Sequence, residues 1–172
     1  VGKRSNFERV ERDYYPTPYK AIIPLLSHLQ PNTTFSEPCA GDGRLVENLE
    51  EHGHKCVYSA DIEPRQKWIR KADAMRYQAR NEHVIITNPP WNRDILHTLI
   101  NVFARQKPTW LLFDSDWAYT LQAKPYLGRL KKIVTIGRVK WIEGSKNTGK
   151  DNCCWYLFEA LESDTIRFYG KG

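Results

Sequence analysis

The stretch TTFSEPCAGDGRLVENLEEHGHKCVYSAD, Thr33 to Asp61, decides how the chain is built. TTFSEPC reads as a short strand, and GRLVENLEEHG as a helix that Gly53 ends. HKCVYSAD reads as the next strand. A strand, a glycine-bearing turn, a helix and a second strand in succession form the unit of a parallel sheet, because a parallel neighbour is reached only by a crossover.

The alternation continues in both directions. Upstream, Tyr19–Leu29 carries Ile22, Ile23, Leu25, Leu26 and Leu29 at helical spacing. Downstream, PRQKWIRKA predicts a helix with Pro64 in its first turn, HVIITN a strand, DILHTLINVFARQ a helix and TWLLFDS a strand. Trp117–Leu130 predicts a helix interrupted near Pro125. KKIVTIGRVKWI and NCCWYLFEAL read as long strands joined by the polar loop EGSKNTGKD; with no helix between them they can pair antiparallel. TIRFYG adds a last strand. The expectation is an α/β fold, a Rossmann-like sandwich around a mostly parallel seven-stranded sheet with an antiparallel C-terminal hairpin. No repeat or linker divides the sequence, so residues 1–172 are expected to form one domain, with 1–13 as a flexible N-terminal arm.

Composition narrows the function classes. Hydrophobic residues make up 41% and charged residues 27% of the 172, which fits a soluble globular domain with a sizeable core. No apolar run approaches the roughly 18 residues that cross a bilayer, so no membrane partner is expected. The opening VGKRSNFERVERDYYPTP lacks the apolar stretch of a secretory signal, which makes the expected compartment cytoplasmic. Cys39 and Cys56 stand alone and Cys153 and Cys154 are adjacent, with no CxxC spacing, so reduced thiols and no metal are expected. His28, His52, His54, His83 and His97 share no ligand spacing and are expected as surface or cap residues.

The net charge of +6 is unevenly placed. Between Leu121 and Lys150 stand Lys124, Arg129, Lys131, Lys132, Arg138, Lys140, Lys146 and Lys150, against Glu143 alone. Tyr126, Trp141, Trp155 and Tyr156 interleave with or follow them. Cations that contact phosphates, set among rings on which bases stack, point to nucleic acid. The candidate contacts are Lys124, Arg129, Lys140, Trp141, Lys146 and Lys150.

In an open parallel sheet, ligands bind outside the carboxyl ends of the strands. The first strand ends in EPCAGDG, where Gly41 and Gly43 permit a tight turn and close backbone approach. The dinucleotide signature wants a third glycine where Val46 stands, and Glu37 and Asp42 are poorly placed for a pyrophosphate; they suit a ligand with a positive end. A nicotinamide-dependent dehydrogenase is thereby disfavoured. The second strand ends at Asp61, about twenty residues after Gly41, the separation at which an acid accepts ribose hydroxyls. In KADAMRY, Asp73 can accept from an exocyclic amine or simply cap a helical turn. The strand HVIITN then opens into NPPWNRD. Pro89 and Pro90 stiffen that loop, so the Asn88 carboxamide and the Pro89 carbonyl are two fixed acceptors beside Trp91, a cradle for a planar group bearing an NH₂.

NPPW resembles the catalytic motif of the class I S-adenosylmethionine-dependent methyltransferases that act on exocyclic or amide nitrogen, the N6-adenine DNA methyltransferases in particular. EPCAGDG resembles their first cofactor motif, SADIEP the ribose-binding acid, ADA the adenine-binding acid, and YYPTP the motif over the methionine end. The order matches the gamma arrangement, over roughly residues 14 to 160. The resemblance implies S-adenosyl-L-methionine as cofactor, with Tyr15, Thr17 and Pro18 lining its methionine end above Glu37, Cys39 and Gly41. Asp61 would hold the ribose, Ile62 would lie against the adenine, and Asp73 and Ala74 would meet that adenine's edge. Asn88, Pro89, Pro90 and Trp91 would hold a flipped target base, with Asn88 also touching the cofactor. The implied partner is adenine-containing DNA, read with little sequence selectivity, since few residues remain after Leu161 for a target-recognition domain. RNA adenine, a protein glutamine amide, or binding of nucleic acid without catalysis remain as alternatives, and the oligomeric state is left open.

Overall fold

The computed structural model describes residues 14–142, 144, 146 and 148–172; the arm expected at 1–13 lies outside these. The strands are Thr34–Glu37 (β1), Lys55–Asp61 (β2), Arg70–Lys71 (β3), Val84–Thr87 (β4), Thr109–Asp114 (β5), Leu130–Arg138 (β6), Asn152–Phe158 (β7) and Arg167–Tyr169 (β8). They form one sheet in the order β3-β2-β1-β4-β5-β7-β6-β8. The strands β3, β2, β1, β4 and β5 run parallel, and β7 is antiparallel to both of its neighbours, β5 and β6. The expected C-terminal hairpin is therefore present, with β8 parallel to β6 at the edge.

Among the described residues three α-helices cover the two faces: Tyr19–Leu26 (α1), Arg44–Glu51 (α2) and Arg93–Ala104 (α3). Alternation along the central strands shows why both faces need cover. On β5, Trp110 and Leu112 join Ile22, Leu25, Leu45 and Leu49 from α1 and α2, whereas Leu111 and Phe113 join Leu96, Ile100 and Phe103 from α3. On β7, Cys153, Trp155 and Leu157 take the first face and Cys154, Tyr156 and Phe158 the second. Trp155 and Tyr156, which the sequence groups with the rings near the basic segment, are thus core residues with no exposure.

Two predicted helices take other forms. PRQKWIRKA becomes bends and turns ending in β3, whose two residues pair with Ala60 and Asp61 and raise the strand count from seven to eight. Its only adjacent apolar pair, Trp68 and Ile69, cannot make a helical stripe; Ile69 is buried and Trp68 is 47% exposed. Trp117–Leu130 becomes two 3-10 segments, Ser115–Tyr119 and Leu121–Arg129, parted by extended backbone at Thr120. Of the histidines expected at the surface, His54 is buried, and His97 accepts a hydrogen bond from the Trp117 indole (3.0 Å) while stacking on Tyr126. Among the described residues no helix is long and apolar enough to cross a membrane.

Strand order fixes where a ligand fits. From β1 the chain moves outward to β2 and β3, then returns to β4 on the other side of β1. The crevice at the carboxyl ends of β1 and β4 is the switch point of the sheet, flanked by Glu37 and by Asn88.

Candidate active site

The turn after β1 is tied to the end of β2. Ala40 N–H donates to Ala60 O (2.8 Å), Gly43 N–H to Ala40 O (2.7 Å), and Gly41 N–H to Asp61 Oδ2 (2.8 Å). Gly41 and Gly43 have φ of 54° and 84°, the left-handed region that glycine enters without strain. Both are also crowded: a Cβ on Gly41 would stand 2.7 Å from Tyr14, and one on Gly43 2.3 Å from Trp68. Arg65 N–H donates to Gly41 O (3.0 Å), and its guanidinium lies 3.8 Å from the Tyr14 ring centre. The segment predicted as a helix therefore clasps the glycine turn instead.

Beside this turn opens a cavity of about 590 Å³ with an acidic wall made by Glu37, Asp42 and Asp61. Glu37 is 1% exposed, and its Oε2 has no hydrogen-bond partner. Burial, and then the charges of Asp61 and Asp42, push its pKa well above the ordinary carboxylate range. Asp61 Oδ1 accepts from Glu63 N–H (2.8 Å), and Asp42 Oδ1 from Arg44 N–H (3.1 Å). Burial and the Asp42 carboxylate raise the Tyr14 phenol to about 12, and burial followed by Asp61 pushes the Cys39 thiol up. A buried carboxyl oxygen without a partner, on a wall of negative charge, fits a ligand whose positive end replaces the missing donor.

NPPW contributes Asn88 and Pro90 to the same cavity. Asn88 Nδ2 donates to Tyr15 O (3.1 Å) and Thr17 Oγ1 (3.2 Å). The Trp91 indole N–H lies between Leu112 O (3.1 Å) and Asn88 Oδ1 (3.3 Å). The residues that follow fasten the loop: Asn92 caps α3 by accepting from Asp94 and Ile95 N–H, and Arg93 pairs with Asp114 at the end of β5 (2.8 Å).

The cavity brings together Tyr15, Thr17, Glu37, Cys39, Gly41 and Asp61 of the expected site residues, and with them Ile62, Asp73, Ala74, Asn88 and Pro90. Asp73 accepts from Met75 N–H (2.9 Å), which is the capping role. Pro18 does not line the cavity: it stands at the N-cap of α1, turned into the helix start by its fixed φ. Pro89 is buried and Trp91 is half-buried against both core clusters, and neither lines the cavity. Sequence reading missed Tyr14, Arg65, Met75 and Leu99. Tyr14 carried a signal in its place beside Tyr15, but nothing local marks Leu99, which reaches the cavity from α3.

The basic segment divides. Lys140, Lys146 and Lys150 are exposed in the β6–β7 connection, which leaves the sheet at the same end as the cavity. Trp141 joins them there, edge-to-face with Trp91 (5.4 Å between ring centres, 83°) and tilted against Tyr15 (6.0 Å). Arg129 lies at the opposite end, where β6 begins, donating to Asn101 of α3 (3.2 Å) with its Nε buried. Lys124 is exposed on the 3-10 segment that leads to it.

No protein-family model matches the sequence, and no curated protein does. Solved structures match over nearly the whole chain. A protein of Listeria monocytogenes assigned to the class I S-adenosylmethionine-dependent methyltransferases superposes with a TM-score of 0.58 at 10% identity, covering 96% of this chain and 68% of its own. A dimethyladenosine transferase from Plasmodium falciparum gives 0.55 at 13% identity, over 88% and 63%. A type I restriction-modification methyltransferase subunit from Streptococcus thermophilus gives 0.57 at 8% identity, over 91% and 47%. The fold is that of the class I S-adenosylmethionine-dependent methyltransferases. The chain spans about half to two thirds of the length of these three structures.

Proposed function

We propose that the chain transfers the methyl group of S-adenosyl-L-methionine to the exocyclic N6 amine of adenine in DNA. The observation that carries this reading is the place of Asn88: it follows β4 at the switch point and shares one cavity with Glu37 and Asp61 from the ends of β1 and β2. An amide acceptor and a buried carboxyl lining one cavity suit an amine and a cationic methyl donor brought together.

When bound, S-adenosyl-L-methionine supplies an electrophilic methyl group on a sulfonium. Glu37 would face its positive end, and Asp61, whose oxygens keep lone pairs beyond those given to Gly41 and Glu63, would accept ribose hydroxyls. Asp73, Ile62, Ala74 and Met75 would border the adenine. The target amine is a weak nucleophile because its lone pair is delocalised into the ring. Asn88 Oδ1 and the Pro89 carbonyl, accepting its hydrogens, would favour the pyramidal nitrogen that can attack, so the protein contributes positioning and fixed dipoles. Inside a duplex the base must first leave the stack. Lys140, Lys146 and Lys150 would contact phosphates, which position without reading sequence; low sequence selectivity and steep salt dependence follow.

The test is mass analysis of nucleosides from DNA and RNA, together with a protein substrate, after incubation with labelled cofactor. N6-methylated adenine from DNA is expected. Label in RNA or on a glutamine amide would move the substrate, and no cofactor binding by calorimetry would reduce the chain to a nucleic-acid-binding protein on this fold.

A further inference from the structure

We propose that the groove between α3 and residues 75–78 is a second ligand site, and that it takes an anion bearing adjacent phosphate groups. A cavity of about 430 Å³ opens there, within the size range of small-molecule sites. It lies apart from the acidic cavity and shares only Met75 with it, as a common wall. The two cavities differ in sign. The first is lined by five carboxylates, Glu37, Asp42, Asp61, Glu63 and Asp73, and by one cation, Arg65. The second is lined by Arg76 and Arg105 and by no carboxylate.

The walls of this groove are fixed to each other. Gln106 commits its whole amide to the joint: Nε2 donates to Tyr77 O (3.0 Å) and Val102 O (2.7 Å), and Oε1 accepts from Ala79 N–H (2.7 Å). Tyr77 meets Phe103 edge-on (5.6 Å between ring centres, 89°), and its hydroxyl donates to the buried Glu82 (2.6 Å). The carboxyl end of a helix ordinarily repels an anion through its unpaired carbonyls. At α3 that end is covered, because Phe103 O takes the N–H groups of Gln106 and Lys107 while Val102 O takes the Gln106 amide.

The groups left over are donors. Arg76 and Arg105 are exposed, and neither has a hydrogen-bond or ion-pair partner among the described residues. Asn101 Oδ1 accepts from Arg129 Nη1 (3.2 Å), which leaves the NH₂ end of that amide to donate. The Arg129 guanidinium thereby adds a third positive charge beside the groove. A single exposed arginine is usually just solvated. Here two of them, from separate elements, line one concave surface that holds no opposing acid. Each guanidinium fork matches two oxygens of one phosphate, so the pair matches two phosphates carried close together. This assignment is independent of the methyl-transfer reading.

The experiment is calorimetric titration of the wild type, Arg76→Gln, Arg105→Gln and Lys20→Gln with inorganic pyrophosphate. The wild type should bind with a dissociation constant of about 1 mM or tighter. Arg76→Gln and Arg105→Gln should each weaken binding about tenfold, since each loses a charge-assisted contact. Lys20→Gln removes the same charge from α1, on the other face of the sheet, and should leave the affinity unchanged. All three variants should melt with the wild type, because the replaced side chains are exposed. Competition then identifies the source of the phosphates. Displacement of pyrophosphate by adenosine diphosphate assigns the site to a free nucleotide, and displacement by a single-stranded oligodeoxynucleotide alone assigns it to a nucleic-acid backbone. The proposal is overturned if pyrophosphate does not bind, or if Lys20→Gln loses as much affinity as the arginine variants, which would reduce the effect to net charge. Either of those results leaves the cofactor cavity and its proposed reaction untouched.

Discussion

The wall at the ends of β1 and β2 is held by hydrogen bonds from backbone N–H groups that close within a short stretch of chain, Gly41 and the Asp61 carboxylate being only 20 residues apart. The wall made by NPPW is held by side chains drawn from far away: Asn88 reaches back to Tyr15 across 73 residues, and Trp91 reaches Leu112 and touches Trp141. The first wall is one local motif with a fixed shape. The second is a junction of several segments, and a change in any of them alters the orientation of one amide. On the proposed function, binding of a cofactor and activation of an acceptor should therefore be separable by mutation.

The largest separation is expected from Asn88→Ala. Loss of a fixed acceptor at the reacting nitrogen should lower single-turnover methyl transfer by about 10²–10³. Affinity for S-adenosylhomocysteine, measured by calorimetry, should change by no more than about twofold, because the acidic wall is independently built. A parallel collapse of both would mean that the two walls form one unit.

Glu37→Gln should act on the other side of that division. Burial, reinforced by Asp61 and Asp42, keeps Glu37 protonated in the folded protein at pH values where it ionises in the unfolded chain. The folded state then binds more protons, so stability is lost as pH rises from the ordinary value of 4.5 through the raised folded value. Gln cannot ionise. The variant should melt with the wild type below that window and above it at pH 8, in the absence of cofactor. Its affinity for S-adenosyl-L-methionine should nonetheless fall about tenfold, since a charge-assisted contact is gone. Equal melting at pH 8 would show that Glu37 is not disfavoured as a carboxylate.

A smaller effect tests how the first wall is clasped. Gly43 and Gly53 have nearly the same φ, 84° and 83°, but a Cβ on Gly43 would meet Trp68 at 2.3 Å while one on Gly53 meets nothing within 4 Å. Gly53→Ala should cost about 1 kcal/mol in urea unfolding from backbone conformation alone. Gly43→Ala should cost about 1–3 kcal/mol, because Trp68 must also leave the turn. Equal costs would show that the 64–69 segment rests on the turn without holding it.

The same contrast explains what the sequence made legible. The parallel sheet, the glycine turn and the places of Asp61 and Asn88 at the ends of their strands were readable because each depends on residues near one another: strand periodicity, a glycine where φ is positive, an acid at a set distance. The segment after Asp61 was misread as a helix because Pro64 and a charged run imitate a helix start, whereas its shape follows from Arg65 meeting Gly41 O and Trp68 meeting Gly43. Trp155 and Tyr156 were grouped with the rings of the basic segment because adjacent aromatics say nothing about which strands lie on either side. With β5 and β6 flanking β7, both rings are enclosed. Composition likewise gathered Arg129 with Lys140, although β6 carries the chain from one end of the sheet to the other between them.

That last separation yields the finest comparison. Lys140 is exposed beside Trp141 at the cavity end, and Arg129 is engaged with Asn101 at the far end, its Nε buried. A phosphate contact releases counterions, so Lys140→Gln should flatten the dependence of log affinity on log salt by about 0.9 for duplex DNA, measured by fluorescence anisotropy across a salt series. Arg129→Gln removes the same formal charge and should leave that slope unchanged while lowering stability, because Asn101 Oδ1 loses its donor. Net charge alone predicts identical slopes for the two variants, whereas placement predicts different ones. A slope that falls equally in both would mean that the nucleic acid wraps past the start of β6, and the interface would have to be redrawn along the whole length of that strand.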